Sequence, residues 1–134
     1  MNILIDTNIF LWVAGNKNYL TAAAQKLIEE PSNEIYLSSV SAWEIAIKWS
    51  KGRLDLPEKP HTLIENIIET AGFFKISVTF SDAHIVSELP IFGNHKDPFD
   101  RLLAAQAINR GFSLMTADKK FKKYDLDVLL YSKK

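Results

Sequence analysis

Five short apolar runs punctuate the chain, and the longer stretches between them space their apolar residues at helical rather than alternating intervals. Ile3-Leu4-Ile5, Ile35-Tyr36-Leu37, Phe74-Lys75-Ile76-Ser77-Val78, Ser113-Leu114-Met115-Thr116 and Val128-Leu129-Leu130 have the length and residue types of strands. The intervening segments predict helices over residues 7–14, 20–30, 41–51, 61–71, 82–89 and 98–110. The second of these closes before Pro31. The helices over 41–51, 61–71 and 98–110 run into Gly52, Gly72 and Gly111, and glycine closes a helix in the left-handed conformation without a Cβ penalty. Strands alternating with helices at these lengths imply the α/β class. One domain over residues 1–134 is expected, an α/β/α sandwich with a mostly parallel central sheet of about five strands.

The acidic residues fall at equivalent places on this outline. Asp6 directly follows the first strand, and Asp118 the fourth. Glu44 is placed in the first turn of the helix after the second strand, and Asp100 in the first turn of the helix that begins at Pro98. In an open parallel sheet the carboxyl ends of the strands share one edge, where ligands bind. Four acids from four segments are therefore expected to converge on one point. Carboxylates that close resist ionising together unless cations hold them. An oxygen-only ligand set suits a hard cation, Mg²⁺ or Mn²⁺ rather than Zn²⁺. Each acid also has a local explanation. Ser41-Ala42-Trp43-Glu44 matches a capping box, and Glu44 is spaced to pair with Lys48. Asp97 before Pro98 is a good N-cap, and Asp100 then suits the helix dipole. Asp6 and Asp118 are each placed to cap the segment after its strand.

Composition removes several chemistries. Cysteine is absent, so disulfides and thiolate metal sites are excluded. There is no Gly-rich phosphate loop and no Ser-His-Asp set. The three histidines, His61, His84 and His95, come from a helix start, a helix middle and a loop, an unpromising origin for a histidine-pair mechanism. Sixteen basic residues balance sixteen acidic ones, so bulk charge draws the chain to no polyanion. The N-terminus lacks a basic lead-in, and Asp6 interrupts its apolar stretch, so no secretory signal is expected. No run approaches the roughly 20 apolar residues of a membrane span. A cytoplasmic protein without membrane association is expected.

Leu4-Ile5-Asp6-Thr7-Asn8, Ser38-Ser39-Val40-Ser41-Ala42-Trp43-Glu44-Ile45, Asp97-Pro98-Phe99-Asp100-Arg101-Leu102-Leu103-Ala104-Ala105-Gln106-Ala107 and Leu114-Met115-Thr116-Ala117-Asp118 resemble the four signature segments of the PIN-domain family. More narrowly they resemble the VapC-like toxins of type II toxin–antitoxin pairs, in order and along essentially the whole chain. The resemblance implies an endoribonuclease with Asp6, Glu44, Asp100 and Asp118 as its catalytic acids. Asp6 and Asp100 would be the principal ligands of Mg²⁺ or Mn²⁺, completed by Glu44 and Asp118 directly or through water. Thr7, Asn8 and Thr116 would orient the carboxylates. The ion would activate water for in-line attack on phosphorus and stabilise the leaving 3′ oxygen, giving 5′-phosphate and 3′-hydroxyl ends. The implied partners are an RNA substrate, a cognate antitoxin and a second copy of the chain in a homodimer.

Other residues take their meaning from this frame. Lys48, Lys51 and Arg53, with Lys119 and its neighbours Lys120, Lys122 and Lys123, form basic clusters that either face solvent or track an RNA backbone. Arg101 is placed to contact phosphate or to neutralise the acids, and His95 is expected in an exposed loop near the site. Trp12, Trp43, Trp49 and Phe10 make the early helices apolar, which suits either a core or a dimer face. Two alternatives stand beside the nuclease. One is a non-catalytic PIN-like module that binds RNA or protein. The other is an aspartyl-phosphate phosphatase, which would want a second Asp where Asn8 stands.

Overall fold

In the computed structural model, which describes residues 1–93 and 96–130, the central strand is buried beyond its first residue. β1 (Asn2–Ile5) places Ile3, Leu4 and Ile5 entirely out of solvent, as expected of a strand covered on both faces. It lies at the middle of a five-stranded sheet with β2 (Glu34–Ser38), β3 (Phe74–Ile76), β4 (Ser113–Thr116) and β5 (Val128–Leu130), in the order β3-β2-β1-β4-β5. Every pairing is parallel, with Leu4 opposite Tyr36 on one side and Leu114 on the other. The sheet is thus wholly parallel among the described residues.

Alternation along the strands divides the interior into two cores. Ile3, Ile5, Ile35, Leu37 and Met115 face one layer, where they meet Ile9 and Phe10 of α1 (Thr7–Gly15), Ala24 of α2 (Ala22–Glu29), Ile45 of α3 (Ser39–Ser50) and Ile64 of α4 (Pro60–Ala71). Leu4 and Leu114 face the other. There they meet Val40 of α3, Leu103, Ala104 and Ala107 of α6 (Pro98–Arg110), Phe121 and Tyr124, with Ile85 of α5 (Phe80–Val86) packed at the margin. Layers on both faces complete the α/β/α sandwich.

The segment ends differ instructively from expectation. β2 passes into α3 without a loop, because Ser38 is both the last strand residue and the N-cap, its Oγ accepting from Val40 N at 3.0 Å. Glu44 consequently stands in the second turn, and the expected Ser41–Glu44 capping box does not form. β3 stops at Ile76 because the chain then leaves the sheet, Val78 N donating to Ser39 Oγ at 3.1 Å. The next helix starts at Phe80 rather than Asp82. Thr79 caps it, and Asp82 returns a bond to Thr79 N in a reciprocal capping box. α2 begins after Thr21, which caps it. Gly72 and Gly111 close α4 and α6 at φ of 73° and 66°, as their positions suggested.

Candidate active site

Asp6 is the residue at which the sheet hands the chain to α1. Its N–H still donates to Met115 O of β4 at 3.1 Å, while its Oδ1 caps the helix by accepting from Ile9 N at 2.8 Å. The cap takes one carboxylate oxygen, and the other is taken by Thr116. Asp6 retains only 6% of its surface. Burial pushes its carboxyl up from an ordinary 3.8 to about 6. Hydrogen bonds from Thr116 and Ile9 oppose that rise, and the charges of Asp100 and Glu44 add to it.

Thr116, the last residue of β4 and fully buried, ties two of the acids together. Its hydroxyl donates to Asp6 Oδ2 at 2.5 Å and accepts the N–H of Asp118 at 2.9 Å. Asp118 in turn accepts from Lys120 N at 2.9 Å and caps the 3₁₀ turn Lys119–Lys123. Across the site, Thr7 Oγ1 lies 2.7 Å from Glu44 Oε1 and 2.9 Å from Ser41 Oγ. With one proton to give, Thr7 donates to the carboxylate, and the Ser41 hydroxyl bonds to Thr7 in turn. The other Glu44 oxygen takes an ion pair from Lys48 Nζ at 2.7 Å, one helical turn on. Glu44 is buried and Lys48 is exposed at the surface.

α6 begins at the same edge, because a helix that returns the chain to a parallel strand starts where the preceding strands end. Asp97 caps it, accepting from Asp100 N at 3.0 Å. Asp100 occupies the third helical position, half-buried. Asp6, Glu44 and Asp100 thus come within electrostatic reach of one another, and Asp118 joins through Thr116. Among the described residues, however, no three acids or imidazoles are disposed as a metal-binding group. Glu44 is held by Thr7 and Lys48, and Asp6 by Ile9 and Thr116, rather than drawn about a single point. The donor chemistry nonetheless suits a hard divalent cation. The side chains offer only oxygen, and the Asp6 carboxyl is lifted chiefly by burial, with the charges of Asp100 and Glu44 adding to it.

The remaining expected residues divide. Thr7 and Thr116 hold carboxylates as anticipated, whereas Asn8 is exposed and no hydrogen bond joins it to the acids. Arg101 turns away from them. Its guanidinium donates to Pro90 O at 2.9 Å and reaches Tyr124 Oη and the carbonyls of Val86 and Leu89 at 3.4–3.5 Å. It pins the segment after α5, since unpaired carbonyls at a helix end want donors. Lys51, Arg53 and Lys119 are exposed. His95 lies outside the described residues. Ser41 was read as a cap and is instead a fully buried partner of Thr7. The Ser38-Ser39 pair, directly after an apolar run, was the signal that moves the cap upstream. A hollow of about 570 Å³ lined by Val13, Leu20, Ile28, Glu34 and Phe74 opens at the opposite edge, where β2 begins, and holds none of the acids.

Comparison with known proteins bears on the family and the fold. The model of the PIN domain family matches residues 3–126. Ribonuclease VapC22 of Mycobacterium tuberculosis (strain ATCC 25618 / H37Rv) is 26% identical over 125 residues, covering 91% of each chain. Among solved structures, VapBC2 from Rickettsia felis, bound to a DNA fragment from its promoter, superposes with a TM-score of 0.75 at 21% identity, covering 98% of this chain and all of that one. A toxin–antitoxin complex from Klebsiella pneumoniae gives a TM-score of 0.60 at 22% identity over 97% and 98% of the two chains. At such identities these structures speak to the fold.

Proposed function

The chain belongs to the PIN domain family, and on that premise we propose that it is a divalent-metal-dependent endoribonuclease, the toxin of a toxin–antitoxin pair. The observation that carries the reading is the set of Asp6, Glu44 and Asp100, collected by separate elements at one sheet edge with Asp6 forced toward neutrality. Lys48 pairs with Glu44 from the surface, whereas the bonds to Asp6 come from a backbone N–H and a hydroxyl. Sharing the fold and 26% identity with a ribonuclease supports the same conclusion.

In this reading Asp6 and Asp100 are the principal ligands, with Glu44 and Asp118 completing the set. Mg²⁺ or Mn²⁺, when bound, supplies a nucleophile at neutral pH and positive charge opposite the leaving oxygen. The protein's own part is positioning. Thr116 fixes the rotation of the Asp6 carboxylate, and Thr7 backed by Ser41 fixes Glu44. Lys48, which pairs with Glu44, and the exposed Lys51, Arg53 and Lys119 are proposed to contact RNA phosphates. The products carry 5′-phosphate and 3′-hydroxyl ends. A cognate antitoxin is proposed from the toxin–antitoxin complex among the structural relatives, and a homodimeric state from the family resemblance. Among the described residues no helix is long and apolar enough to cross a membrane, and a cytoplasmic site of action is proposed.

The test is cleavage of a mixed RNA pool by purified protein, with Mg²⁺ and with EDTA. Cleavage should require the ion. Asp6→Asn and Asp100→Asn should each lower the rate about 100-fold or more, since outer-shell losses at metal sites already reach that order. Wild-type rates from either variant would overturn the assignment. RNA binding without cleavage by wild type would favour the non-catalytic module.

A further inference from the structure

We propose that Trp43, supported by Phe99, is a stacking platform for a nucleobase of the RNA held at the acids. The idea rests on the ribonuclease reading above and names a residue that selects and seats that substrate.

Trp43 keeps 59% of its surface exposed, on a helix whose buried side anchors Ile45 in the core. Its indole meets the Phe99 ring edge-on at a centroid distance of 5.0 Å and an interplanar angle of 73°. An edge contact holds the ring while leaving indole surface open. The pair is tied to the site on both sides. Trp43 immediately precedes Glu44, and Phe99 immediately precedes Asp100, so each ring's Cα stands about 3.8 Å from that of an acid. Two acids and two rings from distant parts of the sequence thus share the junction of α3 and α6.

The surroundings favour a single flat guest. On α3 the neighbours of Trp43 one and two turns away are the small, exposed Ser39, Ala46 and Ser50 and the half-buried Ile47. A stable protein interface needs about 800 Å² per partner with several large apolar anchors, and the other exposed ring of α3, Trp49, lies six positions on, about 120° round the helix from Trp43. Charge points the same way. The chain carries no net charge, and its candidate site is itself acidic, so phosphate contacts alone hold a polyanion weakly. Stacking is indifferent to sign and to sequence, and removing an aromatic platform typically weakens single-stranded RNA binding about five- to 150-fold per base.

The experiment uses the full chain with Ca²⁺ in place of Mg²⁺, so that RNA binds while cleavage is slow. A fluorescein-labelled single-stranded RNA is titrated with wild type, Trp43→Phe, Trp43→Ala and Phe99→Ala, after melting curves establish that each is folded. Trp43→Ala should weaken binding about five- to 150-fold and Trp43→Phe much less. Phe99→Ala should fall between them. Under Mg²⁺ the loss for Trp43→Ala should lie in KM, with kcat nearly unchanged. An RNA with one abasic nucleotide beside its cleavage site should bind wild type more weakly, and Trp43→Ala should not lose further. Cleavage by wild type with binding unchanged in Trp43→Ala would overturn the platform alone. A Trp43→Ala that binds RNA normally but changes sedimentation from dimer to monomer would overturn it in favour of a second copy of the chain. A wild type inert toward RNA would overturn both the platform and the ribonuclease reading.

Discussion

Asp6 and Asp82 are both buried, both sit at helix starts, and both are bonded to a backbone N–H, yet their carboxyls move in opposite directions. Burial raises each. At Asp82 the rise is outweighed by hydrogen bonds from Arg110, Asn109, Thr79 and Gln106, which hold it well below the usual carboxylate range. Arg110 Nη1 lies 2.5 Å and Asn109 Nδ2 2.9 Å from Oδ1, while Thr79 N and Gln106 Nε2 take Oδ2 at 2.9 and 3.2 Å. Gln106 gives its amide so fully to Asp82 and Ser77 O that its buried Oε1 has no partner among the described residues. Asp6 has one backbone N–H and one hydroxyl, and the charges facing it are negative. The closed network locks α5 to α6. The open one has no basic partner among its bonds, and under the proposed ribonuclease reading that difference separates a structural carboxylate from a working one.

The sharpest way to break this contrast is to remove the structural acid. Asp82→Ala takes the shared anion from partly exposed Arg110, exposed Asn109 and buried Gln106 and should cost about 1–3 kcal/mol of stability in urea unfolding. RNA cleavage per folded molecule should be unchanged, because nothing in the network touches the acids at the sheet edge. A folded Asp82→Ala that has lost cleavage would erase the distinction.

The two carboxyls should also leave opposite slopes in stability against pH. Asp6 has a raised value in the fold, so without metal its destabilisation is absent below about pH 4, grows between pH 4 and 6 and is complete above. Asp82 has a lowered value. Its contribution is present above the ordinary aspartate value and disappears as pH falls below it. Thermal melting in EDTA should therefore peak in mildly acidic buffer. Asp6→Asn should flatten the alkaline arm and add about 1–3 kcal/mol at pH 7, and saturating Mg²⁺ should restore the arm in wild type only. An EDTA profile identical in wild type and Asp6→Asn would show that Asp6 bears no such strain.

A smaller effect sharpens the comparison inside α6, where two acids stand three residues apart. Asp97→Ala removes the cap bonded to Asp100 N and should cost about 0.5–2 kcal/mol of stability while sparing turnover in folded protein. Asp97→Asn should change little in either measurement. A dead Asp97→Asn beside an active Asp100→Asn would exchange the two roles.

Periodicity and punctuation were enough to read the architecture. Strand runs, glycine stops and the Asp97-Pro98 start depend on neighbours a few residues away, so local chemistry states them openly. Asp6, Glu44, Asp100 and Asp118 were visible as acids at strand ends and helix starts for the same reason. What tertiary structure alone decided is who meets whom. Thr116 bonding to Asp6 spans 110 residues and Ser41 reaching Thr7 spans 34. Arg101 stands next to Asp100 in sequence yet is drawn to the carbonyls after α5, and Asp82 finds Arg110 through helix packing. A side chain's sequence neighbours fix its distance from them by covalent geometry, but its direction depends on the helix phase and on the partners packed against it. The residue types available to the chemistry were therefore written in the sequence, and the hydrogen bonds that separate Asp6 from Asp82 came only with the packed fold.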